Sequence, residues 1–195
     1  MSSFQQYEHV LFQVWDDMSC CTEEDVERLL PLVSHQRREQ ALRFRYLFGR
    51  WACLKTYEML CGLLVQMTGS VQLPEFTYNE HGKPFLKDGH YFSISHCRKA
   101  LLVGVSIQPV GVDIESVRIP NQALIERVMN PQECRHIYDS PNHGAEFTRL
   151  WTAKEAVLKL RGTGIIDSMQ DVLQGTEPCR TYCEKDYVYT IAVER

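Results

Sequence analysis

Asp113, Glu115, Glu155 and Lys159 are the residues of this chain whose types and spacing could do chemistry. In Gly111-Val112-Asp113-Ile114-Glu115, period-two geometry sets both carboxylates on one face of a strand and Ile114 on the other. In the run from Trp151 to Arg161, Glu155 and Lys159 are four apart and share one face of a helix. Trp151, Ala156 and Leu158 fall elsewhere on that cylinder and can anchor it. Three carboxylates converging with one ammonium describe a divalent-metal site built for a phosphorylated substrate. Val110, Val112 and Ile114 make the strand read as buried, so two carboxylates emerging near its end need a counter-charge. Taken alone, Glu155 and Lys159 also read as an exposed pair worth ~0.3–0.5 kcal/mol. Lys154 and Arg161 read as solvated surface charges.

Two further groups carry anion chemistry. In Ser93-Ile94-Ser95-His96 a strand ends in a hydroxyl and an imidazole. It reads as a turn with a capping serine, or as an anion site made of hydroxyl, backbone N–H and ring. Nothing near His96 resembles a nucleophile elbow. Arg37, Arg38, Arg43, Arg45 and Arg50, opposed only by Glu39, make a positive field on an acidic chain. They read as the wet face of a helix or as a phosphate trap suited to the guanidinium fork. Lys83, held in Gly82-Lys83-Pro84, could reinforce it.

The elements that must position these groups follow from period and punctuation. His9–Trp15 reads as a first strand, and Thr22-Glu23-Glu24-Asp25 resembles a capping box opening a short helix that ends near Pro31. A helical pattern runs from Ser34 to about Met67, with Gly49 and Gly62 as possible interruptions. Val71–Tyr78 is expected to be extended and 79–84 to turn. Strands are expected at Tyr91–Ile94, Ala100–Ile107 and Val110–Glu115, with a break at Gln108-Pro109. Asn130-Pro131 is a helix start with Asn as cap and Pro at the first position. Residues 144–161 form a further helix stopping before Gly162. Tyr182 and Tyr187–Val193 close the chain as a hairpin with Glu184-Lys185-Asp186 at its tip. The order strand, helices, strands occurs twice, dividing the chain into halves 1–107 and 108–195 without a flexible linker.

At 195 residues and 44% hydrophobic content the chain can bury a real core. A net charge of −4 speaks against a general nucleic-acid binder. The eight cysteines show no zinc-ribbon or redox spacing and, without a secretory leader, are expected to be reduced and cytoplasmic. No apolar stretch approaches the ~20 residues needed to span a bilayer.

Together these segments resemble the 4′-phosphopantetheinyl transferases of the surfactin-synthetase-activating (Sfp) type. The resemblance spans about residues 37–165. It rests on Gly82-Lys83-Pro84, on Phe92-Ser93-Ile94-Ser95-His96, on Gly111-Val112-Asp113-Ile114-Glu115, and on Trp151-Thr152-Ala153-Lys154-Glu155 with Lys159, Gly162 and Gly164. It implies an α+β fold of two similar α/β subdomains with pseudo-twofold symmetry, a monomer with its active site in the cleft between them. It implies transfer of 4′-phosphopantetheine from coenzyme A to a serine of an apo acyl or peptidyl carrier protein, with release of 3′,5′-ADP. Carried over by motif, Asp113, Glu115 and Glu155 would hold magnesium. Glu155 would help deprotonate the serine, and Lys159 would neutralise the bridging oxygen. Ser95 and His96 would contact the coenzyme phosphates, Lys83 the adenine nucleotide, and Arg37 and Arg50 the 3′-phosphate. Ser93 departs from the family's usual Asn, with a role expected to be no more than a turn contact, and Gln40 stands where some relatives carry a second basic residue, so the 3′-phosphate would be held less tightly or by Arg43 instead. Residues 116–130 are a candidate surface for the carrier as well as an ordinary helix core. The same carboxylates would serve a metal-dependent phosphohydrolase acting on coenzyme A or nucleotides, or a binding module without turnover.

Overall fold

Along the strand Val10–Trp15, Val10, Phe12 and Val14 bury on one side while Leu11 and Trp15 pack on the other. That alternation sets the layering of the whole molecule. The computed structural model describes residues 4–69, 71–87, 89–164, 169–175 and 177–194. Strands β1 (Gln5–Tyr7), β2 (Val10–Trp15), β5 (Tyr91–His96) and β6 (Leu101–Ser106) form an antiparallel sheet in the order β1-β2-β6-β5. Between β2 and β5 come helices α1 (Glu23–Leu29), α2 (His35–Leu42) and α3 (Leu47–Thr68), then a two-residue hairpin, β3 (Thr77–Tyr78) with β4 (Pro84–Phe85). Strand β7 (Val110–Ser116) is followed by α4 (Gln122–Val128), α5 (Pro131–Asp139) and α6 (His143–Arg161). The chain closes with β8 (Cys179–Cys183) and β9 (Tyr187–Val193). The second sheet has the order β7-β9-β8 and is also antiparallel.

The two sheets pack face to face, with helices on the outside. Leu29, Trp51, Leu54 and Leu60 of the first helices share a core with Leu101, Val103 and Val105. Val10, Phe12, Val14 and Leu102 meet Val110, Val112, Ile114, Tyr189 and Ile191 in a core between the sheets. Phe147, Ala156, Val157 and Leu158 of α6 join Ile125, Val128 and Ile137 beneath the second sheet. Gly104 marks the tightest approach of the sheets, since a Cβ there would lie 3.0 Å from Val112 Cγ1. Among the described residues no helix is long and apolar enough to cross a membrane.

The expected elements are present, with corrections. The long pattern from Ser34 is two helices, broken at 43–46 rather than at Gly49 or Gly62, which both lie inside α3. Gly49 is needed where it stands: a Cβ would come 2.8 Å from Phe44 Cδ1, so the missing side chain lets the Phe44 ring fold against the helix. Between Val71 and Tyr78 only the last two residues pair as a strand. Strand β5 runs two residues beyond Ile94, because Ser95 and His96 still pair with Leu102 and Leu101. At α1, Thr22 accepts from the Asp25 N–H, but the Asp25 carboxylate takes Arg28 and the Trp51 indole instead of returning to the cap. At α5 the reciprocal box is complete, with Glu133 accepting from the Asn130 N–H at 2.8 Å. Gly162 ends α6 in the left-handed conformation, φ 71°.

Candidate active site

Gly111 decides how close α6 comes to β7. A Cβ there would run into the Ala156 carbonyl and the Leu160 amide, so the helix backbone rests directly on the strand. With that contact made, the outward pleat residues Asp113 and Glu115 stand against the face of α6 that carries Glu155 and Lys159. The inward residues Val112 and Ile114 are fully buried between the sheets.

Strand β5 lies along the free edge of β7 and fastens it with two hydroxyls on one face. Ser93 Oγ accepts the Val112 N–H at 3.0 Å, and Ser95 Oγ donates to Asp113 Oδ1 at 2.8 Å. Lys159 Nζ donates to the same Asp113 oxygen at 2.7 Å and to Ser95 Oγ at 2.9 Å. A serine from one half thus joins a carboxylate and an ammonium from the other. Ser93 was expected to make no more than a turn contact; it is a buried stitch between the two sheets.

The charges here are under stress. Burial raises the Glu155 carboxyl above its ordinary range, and the neighbouring Asp113 charge adds to the effect while Lys159 opposes it. Glu115 is raised in the same way, first by burial and then by Asp113, with Arg118 and Lys159 opposing. Burial, followed by the Lys159 charge, lowers His96. Asp113 Oδ2 and Glu155 Oε1 are buried without a hydrogen-bond partner. Among the described residues no three His, Cys, Asp or Glu side chains form a ready-made metal cage. An all-oxygen set with two orphaned carboxylate oxygens and mutual repulsion nevertheless fits magnesium, which keeps waters and phosphate oxygens for most of its shell. Asp113, Glu115 and Glu155 are the residues that could hold it.

These groups line a groove of about 580 Å³, with Ser95, His96, Trp151 and Phe44 on its walls. A second chamber of about 300 Å³ shares Ile94, Glu155 and Lys159 with it and continues past Lys83, Leu158 and Gly162. Lys83 Nζ donates to the Leu160 carbonyl at 3.1 Å, and Asn79 Nδ2 donates to the Gly162 carbonyl at 3.1 Å. The turn 79–84 of the first half is therefore latched onto the end of α6, where carbonyls concentrate partial negative charge. Burial pushes the Lys83 ammonium below its usual range.

The arginines divide. Arg37 lines the groove but is buried, donating from Nε to the Cys53 carbonyl, from Nη1 to Gln40 Oε1 and from Nη2 to Thr56 Oγ1. Burial holds its guanidinium below the ordinary value. Gln40, at the family's second basic position, thus orients the first. Arg50 is the predicted site residue that lines neither chamber; its guanidinium pairs with Glu23. Lys154 is a plain correction. Instead of a solvated charge it is fully buried, with Nζ 2.8 Å from Glu133 and donating to the Met169 carbonyl at 2.8 Å. Arg161 does sit at the surface, paired with Glu177 at 2.6 Å. Sequence reasoning passed over Trp151, Phe44 and Ser93 as parts of the site. For Ser93 a signal existed, since period two puts it on the face of Ser95.

Comparisons with known proteins point to one family. A family model described as the 4′-phosphopantetheinyl transferase superfamily matches residues 109–192. The 4′-phosphopantetheinyl transferase psf-1 of Bacillus pumilus is 30% identical over 147 residues, covering 73% of this chain and 63% of that protein. A 4′-phosphopantetheinyl transferase of Bacillus subtilis is 30% identical over 204 aligned positions, covering 88% and 84%. The 4′-phosphopantetheinyl transferase HetI of Nostoc sp. is 32% identical over 177, covering 81% and 72%.

Proposed function

This chain belongs to the 4′-phosphopantetheinyl transferase superfamily, and from that premise we propose that it moves 4′-phosphopantetheine from coenzyme A to a serine of an apo acyl or peptidyl carrier protein. The observation that carries the reading is the contact of Lys159 with Asp113 and Ser95, beside the orphaned oxygen of Glu155, inside a groove between the halves.

The reaction needs a hydroxyl oxygen to form a bond to the β-phosphorus of coenzyme A. The bond from that phosphorus to the bridging oxygen breaks, and the electron pair leaves with 3′,5′-ADP. No covalent nucleophile of the enzyme is required; positioning and charge neutralisation are. Glu155 takes the serine proton. Burial makes Glu155 more basic than an exposed carboxylate, the direction that task needs. Lys159 stands between the two halves and supplies positive charge, and a proton, to the departing bridging oxygen. Ser95 and Asp113 hold the Lys159 ammonium in place. Ser95 and His96 face the groove where the coenzyme phosphates would lie, and Lys83 flanks the chamber beyond. Magnesium, bound by Asp113, Glu115 and Glu155, would neutralise pyrophosphate charge.

The test is mass spectrometry. Coenzyme A, magnesium and a panel of apo carriers are incubated with the enzyme, and a carrier gains the mass of one phosphopantetheine group. No gain across the panel refutes the reading. Release of 3′,5′-ADP without any carrier would show a hydrolase instead. Asp113→Ala and Glu155→Ala should abolish transfer with the fold retained.

A further inference from the structure

Thr190 interrupts the apolar run of β9, the central strand of the second sheet, and is fully buried. Valine would fill the same space, so a hydroxyl there needs partners. It has two. Thr152 Oγ1 of α6 lies 2.9 Å away and Thr181 Oγ1 of β8 lies 2.8 Å away. Thr152 is also fully buried, and its hydroxyl donates to the Arg149 carbonyl at 3.1 Å. That donation sets the direction of the whole row, since each hydroxyl has a single proton. Thr190 donates to Thr152, and Thr181 donates to Thr190.

The row reaches the site through strand register. Asp113 on β7, Thr190 on β9 and Thr181 on β8 are cross-strand neighbours and share the sheet face that α6 covers. Thr152 stands less than one helical turn before Glu155. Gly111 fixes how near α6 comes to β7, through Ala156 and Leu160. That contact sets a distance, but a helix on a sheet can still roll and slide, and apolar packing is non-directional. A hydrogen bond is directional, and the one between Thr152 and Thr190 ties α6 to a second strand. Along the helix, Glu155 lies between these two fixed points.

We propose that Thr152 and Thr190 are positioning residues for the transfer step: their hydroxyl bond sets the roll of α6 and so aims Glu155 at the groove opposite Asp113 and Glu115. The inference rests on the transfer reading above. Neither threonine lines the groove or the chamber beyond it, so each acts through Glu155 and not on a substrate. A displacement of about 1 Å at a reacting group costs about 10²-fold in rate, so a small roll of the helix is enough.

The experiment measures the single-turnover rate and the KM for coenzyme A with an apo acyl carrier protein. The variants are Thr152→Val, Thr190→Val, Thr152→Ser and Thr190→Ser, each assayed well below its own melting temperature. Valine keeps the shape and removes the hydroxyl; serine keeps the hydroxyl and removes a methyl group. The valine variants should lose ~10-fold or more in rate, with KM for coenzyme A within ~2-fold of wild type. The serine variants should stay within ~3-fold of the wild-type rate, whatever their melting temperatures. Valine variants at the wild-type rate overturn the inference. Serine variants as slow as the valine ones, or valine variants that do not fold, would make the pair an ordinary core contact and overturn it too. A loss confined to KM would place the effect in coenzyme binding and likewise overturn it. A wild-type enzyme that modifies no carrier refutes the functional reading; an active wild type with rates unlike those above refutes this assignment alone.

Discussion

Lys154→Met should be among the most damaging single changes in the molecule, although Lys154 touches no part of the groove. Its ammonium is fully buried on α6, 2.8 Å from Glu133 Oε2 on α5, and it also donates to the carbonyls of Met169 and Gln170. Glu133 is itself buried and closes the capping box of α5. Replacing the lysine with an apolar chain of similar length leaves a buried carboxylate without its counter-charge and the Met169 carbonyl without its donor, while the Gln170 carbonyl keeps Asn130 Nδ2 at 3.4 Å. Breaking a buried pair from one side costs about 3–5 kcal/mol, because the remaining charge stays out of water. Against a total stability of about 5–15 kcal/mol that is a large fraction. At ~2–4 °C per kcal/mol for a chain of this size, the melting temperature should fall by roughly 6–20 °C. Urea unfolding followed by circular dichroism gives the free energy, and calorimetry gives the melting temperature. Lys154→Met/Glu133→Gln removes both charges and should recover much of the loss, since a neutral pair of matched volume has nothing to desolvate. A loss below ~1 kcal/mol for Lys154→Met, or a double variant no better than the single one, would refute the reasoning.

Three other perturbations follow from the same contacts. Gly111→Ala should push α6 off β7, costing at least ~1–3 kcal/mol and lowering the transfer rate together with the melting temperature. A stable, fully active variant would show that the helix does not depend on that contact. Lys159→Ala should reduce kcat by about 10²–10³-fold, as for loss of one group that meets developing charge, and single-turnover kinetics with a carrier would measure it. For Glu155 the sign of the pH effect is set by its raised folded-state pKa. Its stabilising contribution is complete below the ordinary value of 4.5 and is lost as pH rises through the raised folded value. Metal-free Glu155→Gln should therefore melt higher than wild type near neutral pH, the gap closing on acidification; a lower melting point at neutral pH would contradict the shift.

How much could be read beforehand depends on where each signal resides. Asp113 and Glu115 were legible because strand alternation is a local rule, and the flanking valines and isoleucine said which face was buried. Glu155 and Lys159 were legible as one helical face, yet their meeting with Asp113 required Gly111, whose role appears only when the strand and helix are seen in contact. Lys154 was misread for the opposite reason. Charged residues are mostly exposed, and its burial depends on Glu133 arriving from the preceding helix and on carbonyls beyond the end of α6. The break between α2 and α3 escaped notice because helical periodicity continues through it, and the Phe44 ring seated against Gly49 is visible only in the folded chain. Arg37 and Arg50 show the same limit in electrostatics. Composition puts both in a positive cluster, but one guanidinium is consumed by Cys53, Gln40 and Thr56 and the other by Glu23. Among the described residues Arg43 and Arg45 are left without an ion-pair partner, so which charges of the cluster stay unpaired is a property of the folded arrangement and not of composition.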